Sequence, residues 1–100
     1  MSSIPIKFVP KGWGFEKWIV NCDEYCGKLL YFVKGKRCSW HYHVLKDEVF
    51  YIQSGRVLVK YSDNDDLATA KEVTLGPGDN FHVTRGLRHQ VVALEGTEMI

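Results

Sequence analysis

The sequence predicts an all-β domain, and three observations carry that reading. Short runs rich in β-branched and aromatic residues recur along the whole chain, as in Ile4–Val9, Val49–Gln53 and Arg56–Ser62. Turn chemistry separates the runs, at Lys34-Gly-Lys36, Ser54-Gly55, Gly76-Pro-Gly78 and Glu95-Gly96. No segment sustains an apolar period of 3.6 residues, so a long helix is not expected. A chain of 100 residues supports a single domain spanning 1–100 with one modest core.

The elements follow in order. Strands Ile4–Val9 and Glu16–Asn21 flank Pro10-Lys-Gly12, where proline and glycine suit a chain reversal. Gly27–Lys34 begins after the turn Cys22-Asp-Glu24 and stops at Lys34-Gly-Lys36. Ser39–His43 and Val49–Gln53 are joined by the short turn Val44–Asp47, and Arg56–Ser62 follows Ser54-Gly55. The acidic run Asp63–Ala70 lacks the glycine and distal glutamate of a calcium loop and reads as a solvated connection. Glu72–Leu75 ends at Gly76-Pro-Gly78, Asn80–Val83 at Arg85-Gly86, and His89–Leu94 at Glu95-Gly96, leaving Glu98–Ile100 as the last strand. Such a series of short strands points to a sandwich or barrel.

Bulk chemistry narrows the function classes. The formal charge is +1 and basic residues are scattered, so no electrostatic footprint for nucleic acid is present. The N-terminus Met1-Ser-Ser-Ile-Pro-Ile-Lys lacks the pattern of a signal peptide, and no apolar stretch approaches a membrane span. Cys22, Cys26 and Cys38 are odd in number and irregular in spacing, which fits reduced thiols in a cytoplasmic protein. Cys22 and Cys26 read as two thiols flanking a turn rather than as a hairpin cross-link or part of a zinc site, since no second ligand pair follows.

The chemistry-bearing feature lies between Gly35 and Gly55. His41 and His43 are one residue apart, so on an extended strand they share a face. Glu48 opens the next strand, and an antiparallel return would bring its carboxylate beside them. His89, in Gly86-Leu-Arg-His89-Gln, is a fourth candidate that only the tertiary fold can add. Imidazoles with a carboxylate form a ligand set for a divalent first-row metal.

Written out, Gly35 to Gly55 is G-x5-H-x-H-x4-E-x6-G, and Gly78 to His89 runs G-x5-T-x-G-x2-H. These two segments resemble the paired motifs of the cupins, with Thr84 where proline is usual and Ala93 at the variable closing asparagine. Lys11-Gly-Trp13-Gly-Phe-Glu-Lys-Trp18, Gly27-Lys28-Leu-Leu and the segment His89–Ile100 extend the resemblance over essentially the whole chain. Within that family they are similar to the small cupins allied to mannose-6-phosphate isomerases, although Gly12 stands where those relatives usually have proline.

The resemblance implies a cupin-type double-layered antiparallel β-barrel, or jelly roll. It also implies one divalent transition metal (Zn, Fe, Mn or Ni, with copper also known in the family) held by His41, His43, Glu48 and His89. By strand parity Ser39, Phe50, Ile52, Val91 and Ala93 are expected to face inward, with Phe81 and Val83 completing an apolar lining. Cys38 is expected to pack between layers and His82 to lie at the surface. Trp13 and Trp18 are read as an exposed aromatic surface suited to a homodimer.

Lys28, Lys46, Arg37 and Arg88 are candidates for gripping a phosphate or carboxylate, Lys28 foremost. Lys28 and Tyr51 are the candidate catalytic residues, with Tyr31 as a further proton donor. The expected partner is a small carbohydrate or sugar-phosphate-like ligand, with neither nucleic acid nor membrane. Two activities fit an open metal position: sugar-phosphate isomerisation and dioxygenase chemistry. A non-catalytic binding or sensor module is the competing reading.

Overall fold

A computed structural model describes residues 4–24 and 26–100. Residues 1–3 and Tyr25 lie outside that description. The strands are β1 (Lys7–Lys11), β2 (Gly14–Asn21), β3 (Cys26–Phe32), β4 (Glu48–Ser54), β5 (Val57–Ser62), β6 (Lys71–Leu75), β7 (Asn80–Val83), β8 (Arg88–Ala93) and β9 (Thr97–Met99). A 3-10 turn, Leu67–Thr69, interrupts the acidic connection, with Asp66 capping it by accepting the Ala68 N–H at 3.0 Å.

The strands form an antiparallel six-stranded sheet, β1-β2-β3-β9-β4-β7, and a three-stranded sheet, β6-β5-β8. The larger sheet buries Phe32, Ile52, Met99 and Val83, and the smaller buries Val57, Val59, Leu75, Val91 and Ala93. Alternation along each strand puts these residues on the facing sides, so the core is the space between sheets. The all-β, double-layered antiparallel architecture expected from the sequence is the one observed.

Two expected elements are corrected. Pro10 lies within β1 and the reversal moves to Gly12-Trp13. The strand tolerates proline because β1 is the sheet edge, paired on one side only. Ser39–His43 is not a continuous strand. The stretch from Arg37 to His43 touches β8 through isolated bridges, Arg37 to Val92 and His41 to His89. Four steps on one side match three on the other, so one extra residue bulges between the bridges and breaks the ladder.

The aromatic surface is also corrected. Trp13 stacks on buried Phe32 at 4.1 Å between ring centroids and seals that end of the core. Trp18 lies between Lys7 and Lys28 on the inner face of the large sheet. Cys38 packs against the core as expected, accepting the Val91 N–H on its sulfur at 3.2 Å, and burial pushes its thiol pKa up. His82 is at the surface, with its Nε2 at 2.5 Å from Asp47 Oδ1.

Candidate metal centre

Three histidines converge from two parts of the chain. His89 comes from β8 and is 1% exposed, while His41 and His43 come from the bulged segment and are half-buried. His41 and His89 exchange backbone hydrogen bonds of 3.1 and 2.9 Å, which sets the two rings side by side. Ring centroids are 4.3 Å apart for His41 and His89, 5.0 Å for His41 and His43, and 5.5 Å for His43 and His89. One ring nitrogen from each lies within 4.8 Å of the others.

The orientation of two rings has a clear cause. His41 Nδ1 is 2.7 Å from the Ser39 carbonyl, and His89 Nδ1 is 3.0 Å from the Leu87 carbonyl. A carbonyl only accepts, so each Nδ1 carries the proton and donates it, leaving the Nε2 lone pair for a metal. Glu48, at the start of β4, places Oε1 at 3.4 Å from His43 Nε2. Glu48 is therefore beside the cluster through His43, while the three imidazoles form the tight group. Phe50, next on the same face of β4, holds its ring 5.9 Å from that of His89.

Burial is the main cause that lowers the His89 pKa, with the neighbouring imidazoles adding to it and the Leu87 carbonyl opposing it. His43 is lowered chiefly by desolvation; Glu48 pulls the other way, and His41, Lys46 and Lys28 push further down. Both shifts favour the neutral imidazole, the form that ligates metals. The donor set and protonation thus fit a divalent ion of the Zn, Fe, Mn or Ni kind.

These shifts carry a pH consequence for metal-free protein. In the unfolded chain His43 and His89 take up protons near the ordinary value of 6.5, whereas the folded protein resists. Stability is therefore retained above that value and falls as the pH drops below it, levelling only beneath the folded-state pKa values. Urea unfolding of chelator-treated protein should show a lower midpoint at pH 5.5 than at pH 7.5, and a His89→Gln variant should show a smaller difference. Equal midpoints for the unsubstituted chain would rule this out.

The remaining expected residues divide by strand face. Lys28 alternates in step with Leu30 and Phe32 and faces inward, with its Nζ 4.4 Å from the Trp18 ring centroid. Tyr51 is a correction: it is 44% exposed and opposite in parity to Glu48, Phe50 and buried Ile52, so it faces away from the histidines. Tyr31 likewise lies on the other side of β3 from Phe32, stacked on Phe15 at 5.5 Å. Ser39 is exposed and contributes its carbonyl rather than an inward side chain.

Arg88 is committed to the fold, donating to Asp65 at 2.8 Å and to the Gly86 carbonyl at 2.8 Å, and lying 4.1 Å over Tyr42. Phe81 and Val83 do line the inside, opposite Phe50 and Glu48 in the β4–β7 ladder. Sequence reasoning missed the Ser39 and Leu87 carbonyls. Every residue carries a carbonyl, so composition gives no signal for them.

Comparison with known proteins agrees with this geometry. Residues 28–100 match the model of the Cupin domain family. A cupin-2 domain containing protein from Shewanella frigidimarina superposes with a TM-score of 0.70 at 23% identity, over 91% of this chain and 79% of that one. KdgF from Halomonas sp. gives 0.72 at 22% identity, over 85% and 73%. The capsular polysaccharide assembling protein CapF from Staphylococcus aureus gives 0.80 at 21%, over 97% of this chain but only 29% of CapF. At such identities these structures speak for the fold alone. No curated protein matches the sequence significantly. With both motifs in one barrel and the family model covering most of its length, the chain belongs to the cupin family.

Proposed function

We propose that this cupin holds one divalent transition metal through His41, His43 and His89, with Glu48 as fourth ligand, and uses it to bind a small carbohydrate or sugar-phosphate-like ligand. The observation that carries the reading is the convergence of three imidazole nitrogens within 4.8 Å, two of them aimed by backbone carbonyls. When bound, such an ion supplies a Lewis acid for ligand oxygens. The chain contributes neutral imidazoles, a carboxylate beside His43, an apolar wall at Phe50 and Phe81, and Lys28 on the inner face. A fold shared with CapF, a capsular polysaccharide assembling protein, supports a carbohydrate as the ligand class.

A second reading, binding without turnover, has its own observation. Tyr31 and Tyr51 face away from the pocket, so Lys28 is the one of the candidate proton-transfer residues on the inner face. Isomerisation between aldose and ketose needs a proton moved to and from carbon, and a dioxygenase needs oxygen consumed. A homodimer remains the proposed assembly, supported by exposed Ile6 and Phe8 at the β1 end of the large sheet.

Elemental analysis of freshly purified protein tests the metal, with about one ion per chain expected. Solvent-proton exchange into hexose phosphates would establish an isomerase, and substrate-dependent oxygen uptake a dioxygenase. Ligand binding with neither supports the module. Protein that takes up no divalent metal after reconstitution overturns the proposal.

A further inference from the structure

A row of three side chains on the inner face of the large sheet has no part in holding a metal. The strand register pairs Lys7 with Trp18 and Trp18 with Lys28, so the three stand side by side across β1, β2 and β3. Directly paired residues share a face, and Lys28 is in step with buried Phe32, so the row looks into the barrel. Lys7 Nζ lies 4.9 Å and Lys28 Nζ 4.4 Å from the centroid of the indole. The ring itself is fixed, because its Nε1 donates to Glu16 Oε1 at 2.7 Å.

Glu16 is the nearby carboxylate, and it is already engaged by that indole and by Lys11 Nζ at 3.8 Å. Among the described residues, neither Lys7 nor Lys28 has a carboxylate within salt-bridge reach. Two like charges are thus held close on one aromatic spacer. The ring quadrupole offsets only part of their repulsion, and an anion between them would offset the rest.

The row leads to the histidines. Leu30 and Ile52 both pair with Met99, so two residues earlier Lys28 is level with Phe50, whose ring adjoins His89. Two strand spacings, about 10 Å, separate Lys28 from Phe50. At the outer end, a groove of about 410 Å³ opens along Lys7 and Trp18, walled by Ile4, Pro5 and Asn21.

We propose that Lys7 and Lys28, spaced by Trp18, form the anion subsite of this pocket and receive the phosphate or carboxylate of an acidic sugar whose other oxygens face the histidines. The inference rests on the metal-site reading for the second half of the ligand, and on the lysine row alone for the first.

The test titrates the zinc-loaded chain with glucose 6-phosphate, glucuronate and glucose, and compares Lys7→Met, Lys28→Met and Lys28→Arg variants. Acidic sugars should bind about tenfold or more tighter than glucose, the strength of one charge-assisted contact. Each methionine variant should lose about tenfold for the acids while keeping its metal content, Lys7→Met should leave glucose affinity unchanged, and Lys28→Arg should restore most of the loss. Tighter binding of the phosphate assigns a sugar phosphate, and tighter binding of glucuronate a sugar acid. Equal affinity for all three probes, or acid binding unchanged in both methionine variants, overturns the subsite. Inorganic phosphate titrated into chelator-treated protein separates the two readings. If the chain takes up no metal but phosphate binding is lost in Lys28→Met, the subsite stands and the metal reading falls; phosphate binding unaffected by that change overturns the subsite by itself.

Discussion

His89→Ala is expected to strip the protein of metal, lowering affinity by more than about a hundredfold, beyond what loss of an outer-sphere partner costs. Of the three imidazoles, His89 is the most buried, and its position is set by β8 rather than by a loop. Its backbone exchanges two hydrogen bonds with His41, and its Nδ1 donates to the Leu87 carbonyl, so the ring has little freedom to be replaced by a neighbour. Removing it leaves His41 and His43 with Glu48, a set still able to touch an ion but lacking the fixed third nitrogen. Metal analysis after desalting, alongside circular dichroism, reads the effect directly. His89→Gln keeps a polar side chain of similar bulk and serves as the folding control. Stoichiometric metal in a folded His89→Ala protein would falsify the assignment.

Gly55→Ala is expected to destabilise the fold by about 4 kcal/mol, combining left-handed backbone strain with overpacking. Gly55 has φ of +91°, and a Cβ there would fall 2.4 Å from the Gly96 carbonyl oxygen and 2.4 Å from Thr97 Oγ1. Thr97 cannot swing aside cheaply. It is fully buried, and its hydroxyl lies 2.9 Å from the Glu95 carbonyl and 3.2 Å from that of Arg56. Gly35, at the other end of the same motif, has φ of +82° with nothing within 4 Å of an added Cβ. Gly35→Ala should therefore cost only the backbone contribution, about 1 kcal/mol. Urea midpoints of the two variants measure the contrast, and equal losses would show that the Gly55–Thr97 contact is not tight.

Much of this was legible in the sequence because periodicity and turn chemistry act locally. Asn80–Val83 is expected and observed with the same bounds, and Arg56–Ser62 differs from β5 by one residue. The exceptions have physical causes. Pro10 signals a turn unless the strand is an edge, and edge status is a property of the whole sheet. The bulge before His41 leaves no compositional mark, because Cys38, Ser39 and Trp40 suit a strand as well as a bulge. His41, His43 and His89 stood out by spacing and motif, and they do meet. The phenol of Tyr51 suits proton transfer, yet the residue is an odd number of positions from Glu48, and strand alternation alone turns it to the far side. Nothing local marks Trp18 as an inner-face residue, because Lys7 and Lys28 are distant from it in sequence and adjacent only through the register.

The supports of His41 and His89 are main-chain oxygens, each two residues upstream of the ring it steadies. A support made of side chain is lost when that residue is substituted, whereas a carbonyl stays whatever residue bears it. Ser39 and Leu87 are therefore open to substitution so long as the local backbone path is kept. Sequence drift at these two positions leaves ring orientation intact, and the bulge between Arg37 and His41, rather than any residue identity within it, is what such drift has to preserve.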